Sequence, residues 1–393
     1  MRIGIVAPMF PPLKSGSSHY AYRVAEGLAE RGHDVFVITS SNSINDDSLP
    51  FSIIKTPSFM LPSTPFTHNY SLPFNFFPMN YPMMKALISK LRPDLLHVNG
   101  HFLDLSLVSS MAAGSLKVPS VLTIHTRLVH ASPSFNPFIR AFDRSMVTWM
   151  LKATNSMIAL DRQMYHYIKE TYYAPDERIA TIPLGIDIKD LRAQKDDPRI
   201  MEDLEGYKVI ASLSHITALK SPRTLLEAFA KVRESIDNLK LLFIGSVNDP
   251  RVREWVKQLG VEEDVIFLGP VNHDLIPSIL RRCVLETHSL DFRTGLDNAA
   301  IEAMALGLPV ISCVREDNFI KPWLKNWENI VLVPPRRVDK TAEALKRILS
   351  DDQLYETLSQ NASQSATKLF SLERMLDDLE SLYAQVLSES SHR

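Results

Sequence analysis

The stretch Asp291-Phe292-Arg293-Thr294-Gly295-Leu296-Asp297-Asn298, running on through Glu302 to Gly307, holds the residue types best placed for chemistry. Gly295 precedes a helix that Asp297 or Asn298 caps and Gly307 ends, ahead of an apolar strand from Leu308 to Cys313. Unpaired N–H groups and the positive end of the helix dipole favour a phosphate at such a start, and Gly295 lets a ligand approach the backbone closely. Glu302 lies about a turn and a half inside the helix, within reach of hydroxyls beyond that phosphate. A sugar nucleotide carries both groups.

A second anion site is written into Ser214-His215-Ile216-Thr217-Ala218-Leu219-Lys220-Ser221-Pro222. Ser221 is the expected cap of a helix over Arg223 to Arg233, with Pro222 at its first position and Lys220 beside its positive end. An exposed lysine in a turn would read the same way. In the amino-terminal half, the loop Pro11-Pro12-Leu13-Lys14-Ser15-Gly16-Ser17-Ser18 offers Gly16 and a serine cap before a helix from His19 to Arg31. It lacks the Gly-x-Gly-x-x-Gly fingerprint, and a plain connecting turn is the alternative. His125 ends a strand from Ser120, at the edge where doubly wound sheets bind ligands, although strand-end histidines also serve structure alone.

These residues need a scaffold of parallel strands, and the pattern supplies one twice. Strands at Ile3 to Ala7, Val35 to Thr39, Leu95 to Val98, Ser120 to His125, Ser156 to Ala159 and Ile179 to Ile182 alternate with helices, as in a sheet covered on both faces. The charged run from Lys189 to Glu205 marks a change of domain. The alternation then resumes with strands at Tyr207 to Leu213, Lys240 to Ile244, Val265 to Leu268, Val284 to Thr287 and Asn329 to Val333. The last helix, Ser371 to Ser388, puts Leu372, Met375, Leu376, Leu379, Leu382 and Val386 on one face, which must pack on something. Only Pro50 to Pro82 breaks the rhythm, with prolines, aromatics and methionines between a strand at Phe51 to Lys55 and a helix at Tyr81 to Leu91. Such a connection is either a lid or acceptor surface for something apolar, or an Ω-like loop with a small core of its own.

The bulk properties narrow the class. At 393 residues, two domains are expected. With 43 Lys and Arg against 45 Asp and Glu, a net charge of -2 gives no reason to expect nucleic acid as a partner. Cys283 and Cys313 form no Cys-x-x-Cys pair, so disulfide and zinc frameworks are not expected, and a reducing cytoplasm fits. The amino terminus reads as a strand without the order of a signal peptide, and no apolar run reaches the roughly 20 residues that span a bilayer. Helix Pro137 to Lys152 mixes Arg140, Arg144 and Lys152 with Phe138, Phe142, Met146, Trp149 and Met150. It either packs on the sheet or lies peripherally on the inner face of an anionic membrane.

Several separate motifs, in order, resemble family 4 retaining glycosyltransferases of the GT-B fold over nearly the whole chain. They are Pro11 to Gly16; Leu28-Ala29-Glu30-Arg31-Gly32-His33-Asp34-Val35; Asp94-Leu95-Leu96-His97-Val98; Val121 to Thr126; Ile182-Pro183-Leu184-Gly185-Ile186-Asp187; and Ile301-Glu302-Ala303-Met304-Ala305-Leu306-Gly307-Leu308-Pro309-Val310. The resemblance implies an α/β protein of two Rossmann-like doubly wound domains facing across a cleft. The first spans 1–188, the second 189–370, and the helix at 371–393 packs back on the first. It implies a UDP- or GDP-sugar donor held by the second domain, and a carbohydrate, lipid-linked or small-molecule acceptor held by the first. Transfer would proceed with retention at the anomeric carbon and without a metal or other cofactor, the leaving diphosphate being stabilised by Lys220 and helix dipoles. Glu302 would take the ribose hydroxyls, Lys220 the diphosphate, Gly16 the backbone approach to phosphate and His125 a hydroxyl of the transferred sugar. His215, Gly295 and Leu296 would complete the donor site.

The departures are specific. The family pairs two glutamates eight positions apart, and Thr294 stands where the first is expected. Thr294 can hydrogen-bond a sugar hydroxyl but cannot oppose a developing oxocarbenium ion with negative charge. His215 replaces the arginine five positions before Lys220, Ser15 replaces a glycine before Gly16, and Val314-Arg315-Glu316-Asp317-Asn318-Phe319 replaces a glycine-containing loop. An active hexosyltransferase is the leading expectation. A catalytically degenerate binder of nucleotide or carbohydrate, or partner of an active transferase, is the alternative, and a sugar-nucleotide epimerase on the same fold is the third.

Overall fold

The computed structural model describes residues 1–12, 15–40, 48–62, 71–128, 133–194, 202–217, 222–288, 290–291, 295–319 and 324–391. The chain divides into two compact units: Met1–Gly185 with Leu372–Arg393, and Ile186–Ser371.

The first unit contains β1 (Arg2–Ala7), α1 (Gly16–Glu30), β2 (Asp34–Ser40), β3 (Ser52–Thr56), β4 (Phe59–Leu61), β5 (Leu72–Phe74), α2 (Tyr81–Leu91), β6 (Leu95–Asn99), α3 (Asp104–Leu116), β7 (Ser120–Ile124), α4 (Asn136–Ala153), β8 (Ser156–Ala159), α5 (Arg162–Tyr172) and β9 (Ile179–Thr181). Seven strands form one parallel sheet in the order β3-β2-β1-β6-β7-β8-β9. The strand order reverses between β1 and β6, which makes their carboxyl ends the switch point where such sheets bind ligands.

In the second unit, α6 (Ile188–Ala193) leads into β10 (Lys208–Leu213), α7 (Arg223–Arg233), β11 (Leu239–Ile244), α8 (Arg251–Leu259), β12 (Val265–Gly269), α9 (Ile276–Arg281), β13 (Leu285–His288), α10 (Asn298–Ala305), β14 (Val310–Ser312), β15 (Val331–Leu332), α11 (Val338–Ser350) and α12 (Asp352–Phe370). Its sheet, β12-β11-β10-β13-β14-β15, is again parallel and reverses between β10 and β13. Both units are therefore Rossmann-like α/β folds.

The long helix α13 (Leu372–Ser391) belongs to the first unit. Its buried face, Met375, Leu376, Leu379, Leu382, Tyr383 and Val386, joins Tyr20, Val24 and Leu28 of α1 in the core on one side of the sheet. Glycine at position 27 allows this approach: a Cβ there would stand 2.5 Å from Leu376 Cδ1. Arg31 Nη1 then donates to Asp377 and Glu380 at 2.7 and 2.6 Å, and Glu380 also meets His33 Nε2 at 2.7 Å. The other side of the sheet is covered by α2, α3, α4 and α5, through side chains such as Met84, Leu105, Val147 and Ile168.

The interrupted segment is more regular than its prolines predict. β4 and β5 pair antiparallel, with Phe59 opposite Phe74, Met60 opposite Pro73 and Leu61 opposite Leu72. The Asp104 carboxylate at the start of α3 accepts from the backbone N–H groups of Asn75 and Phe77 at 2.8 and 3.1 Å and ties the hairpin down. Strands of three residues with a proline inside carry too little periodicity to be read from sequence. Phe59, Phe74 and Phe76 pack ring to ring with centroids 5.3 to 6.1 Å apart, though Phe59 and Phe76 stay partly exposed.

Candidate functional site: two switch-point clusters

In the first unit, α1 starts earlier than its sequence predicts. Gly16 is its first residue, and Ser15 is the cap, its hydroxyl accepting from Ser18 N at 3.1 Å. A Cβ at Gly16 would meet no described atom within 4 Å.

Asn99, at the end of β6, links the neighbouring elements. Its Nδ2 donates to Ser17 O at 2.9 Å, which orients the amide and turns Oδ1 towards His125 Nε2 at 2.5 Å. His125 must donate from Nε2, which leaves Nδ1 as the acceptor nitrogen of the ring. His125 follows directly after β7 rather than lying in it. Burial pushes its pKa down to about 3, and the Tyr20 ring packs edge-on at 4.8 Å. The result is a neutral, oriented imidazole suited to accepting a hydrogen bond from a hydroxyl. Ser17, Asn99 and Gly100 line a small cavity at this point with Pro8 and Met9. Deeper in the sheet, His97 spans Thr123 Oγ1 at 2.7 Å and Tyr383 OH at 2.6 Å.

In the second unit, His215 follows β10. Its Nδ1 accepts from the backbone N–H of Ser246 at 3.1 Å and meets Ser246 Oγ at 2.8 Å. A backbone N–H only donates, so Nδ1 carries no proton and the ring is neutral with its hydrogen on Nε2. The substituted histidine is therefore a hydrogen-bond donor and not a cation. Gly245 permits this geometry with a φ of +139°, where a Cβ would stand 2.4 Å from Ser214 O.

After β13, Thr224 Oγ1 in the first turn of α7 donates to the largely buried Asp291. Asp297 caps α10 by accepting from Ala300 N at 3.4 Å, and its other oxygen lies 3.1 Å from His288 Nε2. Gly295 and Leu296 lead into this cap. One turn further on, the Glu302 side chain is 2% exposed, and its Oε1 lies 2.9 Å from Nε2 of His273. The loop beyond β14 borders an open depression of 480 Å³, lined by Cys313 to Asp317, Asn326 and Leu332 to Pro334. The guanidinium of Arg315 forks onto Asp317 at 2.8 and 2.9 Å there.

Lys220, Ser221 and Thr294 lie outside the described residues. Pro222 occupies the cap position of α7, one residue before the first position that the sequence predicts for it. Gly16, Asn99 and His125 thus lie at one switch point, while in the second unit His215 and Asp291 follow β10 and β13, the strands that flank the other, and Gly295, Leu296 and Glu302 lie before and within α10. Sequence reasoning passed over Asn99, His273 and Gly245. Asn99 and Gly245 carried a signal, as small or polar residues immediately at a strand's carboxyl end, whereas His273 lies 29 residues before its partner and had none.

Two parallel Rossmann-like sheets in one chain, each with its polar cluster at the carboxyl edge, define a protein of the GT-B type. The chain belongs to the glycosyltransferases: residues 14–190 match Glycosyltransferase Family 4, and residues 194–365 match Glycosyl transferases group 1. It is 24% identical over 417 residues to alpha-monoglucosyldiacylglycerol synthase of Acholeplasma laidlawii, covering 100% of this chain and 99% of that one. It is also 24% identical over 405 residues to N-acetyl-alpha-D-glucosaminyl L-malate synthase of Bacillus anthracis, with coverage of 100% and 99%. Among solved structures, Anabaena Alr3699/HepE in complex with UDP and glucose has the same fold, with a TM-score of 0.76, 17% identity and coverage of 98% and 99%.

Proposed function

We propose that this chain is a retaining hexosyltransferase that moves a sugar from a nucleotide-sugar donor, UDP- or GDP-linked, to a carbohydrate, lipid-linked or small-molecule acceptor. The observation that carries this reading is Glu302, a buried carboxylate behind the capped start of α10 at the switch point of the second sheet. The α10 start offers N–H donors and a positive dipole end to the diphosphate, and Glu302 offers an acceptor to the ribose hydroxyls. Lys220 and Gly16 serve the phosphates, and neutral His125 accepts from a hydroxyl of the transferred sugar through Nδ1. His215 contributes an Nε2–H donor to the same anion. Bond cleavage leaves the electron pair on the diphosphate, whose growing charge these donors and Lys220 stabilise, so no metal is assigned to the step.

Support for a uridine donor comes from the Anabaena structure with UDP and glucose, and support for a lipid or small acid as acceptor from the two named synthases. A thermal-shift screen of nucleoside diphosphates and their sugars tests the donor reading, because a ligand that binds only the folded chain raises its melting temperature. Incubation of the donors that bind with candidate acceptors follows, with the anomeric configuration of the product read by NMR. No shift with any nucleoside diphosphate sinks the reading, and an inverted product sinks retention.

A further inference from the structure

Two rows of side chains on the first sheet change character as they near its carboxyl edge. On β6 the row is Leu95, His97 and Asn99; on β7 and the residue after it, the row is Val121, Thr123 and His125. Alternate residues share one face of a strand, and Leu95 and Val121 place both rows in the core formed with α1 and α13. Each row therefore starts apolar and ends polar. Two hydrogen bonds cross between the rows with the same step. His97 Nε2 meets Thr123 Oγ1 at 2.7 Å and His125 Nε2 meets Asn99 Oδ1 at 2.5 Å, each joining a β6 residue to a position two beyond its register partner.

The pair of Asn99 and His125 stands at the edge, and the pair of His97 and Thr123 lies one step deeper, fully buried. Apolar residues of the same shape would serve stability there about as well, so a polar pair has a further use in fixing one arrangement. The deep pair is extended by Tyr383, whose hydroxyl lies 2.6 Å from His97 Nδ1 and which α13 brings in from 286 residues away. Burial pushes the His97 pKa down to about 3 and holds the Tyr383 hydroxyl well above its ordinary value. Near neutral pH both groups are uncharged and act through hydrogen bonds alone. Both ring nitrogens of His97 are engaged, so the ring cannot turn over without losing bonds. Tyr20 then joins the deep pair to the edge. Its buried ring packs edge-on to His97 at 6.3 Å and to His125 at 4.8 Å, at an interplanar angle of 78° in each case. The Asn99 bond fixes one atom of the His125 ring, and the Tyr20 contact fixes the plane in which Nδ1 lies.

We propose, resting on the reading of His125 as the acceptor of a sugar hydroxyl, that Tyr383 and His97 are positioning residues for the transfer, which hold the His125 ring through Thr123 and Tyr20. NMR of isotope-labelled histidine ring nitrogens, with the His125 signals assigned by their loss in His125→Ala, tests the structural half. Tyr383→Phe and Thr123→Val cut the chain at opposite ends while keeping side-chain shape, and each should shift or broaden the His125 signals. A double-mutant cycle on the transfer rate tests the functional half. Tyr383→Phe should lower kcat by about tenfold with little change in donor KM, and by less than about twofold once His125 is alanine. Nucleoside diphosphate thermal shifts should be the same in Tyr383→Phe as in the parent chain, because the second unit holds the diphosphate. His125 signals that stay at their parent positions in both variants overturn the proposal, and so does a rate loss of equal size with and without the His125 ring. Failure of the donor reading shows separately, as the absence of any nucleoside diphosphate shift in the parent chain, and the NMR comparison then decides the positioning role by itself.

Discussion

Glu302 Oε1 and His273 Nε2 lie 2.9 Å apart, joining the middle of α10 to the 3-10 turn that precedes α9. The carboxylate is almost wholly buried, whereas the imidazole is 38% exposed. His273 is thus the more exposed partner of the pair, and on the reading proposed above it competes with ribose hydroxyls for the carboxylate.

Replacing His273 with alanine removes one partner of a buried carboxylate, at an expected cost of about 1–3 kcal/mol in unfolding free energy. A bound nucleoside diphosphate would restore hydrogen bonds to Glu302, so its thermal shift should be larger in His273→Ala than in the parent chain. Glu302→Gln should weaken nucleoside diphosphate binding by about tenfold, the value of one charge-assisted hydrogen bond. Equal shifts in the parent chain and His273→Ala would place the ligand away from this carboxylate.

His215→Arg tests the neutral donor assigned to that position. Arginine brings a permanent positive charge but no acceptor for Ser246 N–H, now bonded to His215 Nδ1 at 3.1 Å. The expected result is a loss of about 1 kcal/mol in stability together with tighter nucleoside diphosphate binding that salt weakens. Calorimetric titration at two salt concentrations reads both the gain and its electrostatic origin.

Thr294 stands eight positions before Glu302, where a glutamate is expected. If Thr294 faces the transferred sugar as proposed, Thr294→Glu brings a negative charge to it, and steady-state rates with several donors should change by about tenfold or more in at least one direction. Unchanged rates and donor preference would remove Thr294 from the sugar's surroundings.

Acid sensitivity should follow from His97, whose pKa burial pushes down to about 3. The folded chain keeps this ring neutral, while the unfolded chain protonates it below about 6.5. Between those values the unfolded state binds more protons, so stability is lost as pH falls, by up to about 1.4 kcal/mol per pH unit. Denaturant melts from pH 6.5 to 5, above most carboxylate titration, should show a slope that His97→Gln flattens. An identical slope in the variant would mean that His97 does not control it.

The order of strands and helices in both units was legible because apolar runs bounded by glycine, proline and capping residues repeat with little interruption. α2 begins and ends where its sequence predicts, and α7 ends where its sequence predicts, with its cap one residue later, at Pro222. The start of α1 was misplaced by three residues, since Ser15, Ser17 and Ser18 are all competent caps and only the bond from Ser18 N selects Ser15. The β4 and β5 hairpin was illegible because pairing and the Asp104 anchor, not local propensity, hold it.

The same division holds for the site. Glu302, Asp297, His125 and Gly16 could be named from one sequence because a strand end, a cap and a glycine are local features with local causes. Whether a named side chain is charged, and what it faces, depends on atoms distant in the chain. Ser246 sets the tautomer of His215, 31 positions away, and Asn99 orients His125 across 26. Periodicity and capping act within a few residues and so are written in the sequence, whereas hydrogen-bond partnership and burial arise only when parallel strands bring remote loops to one edge of a sheet.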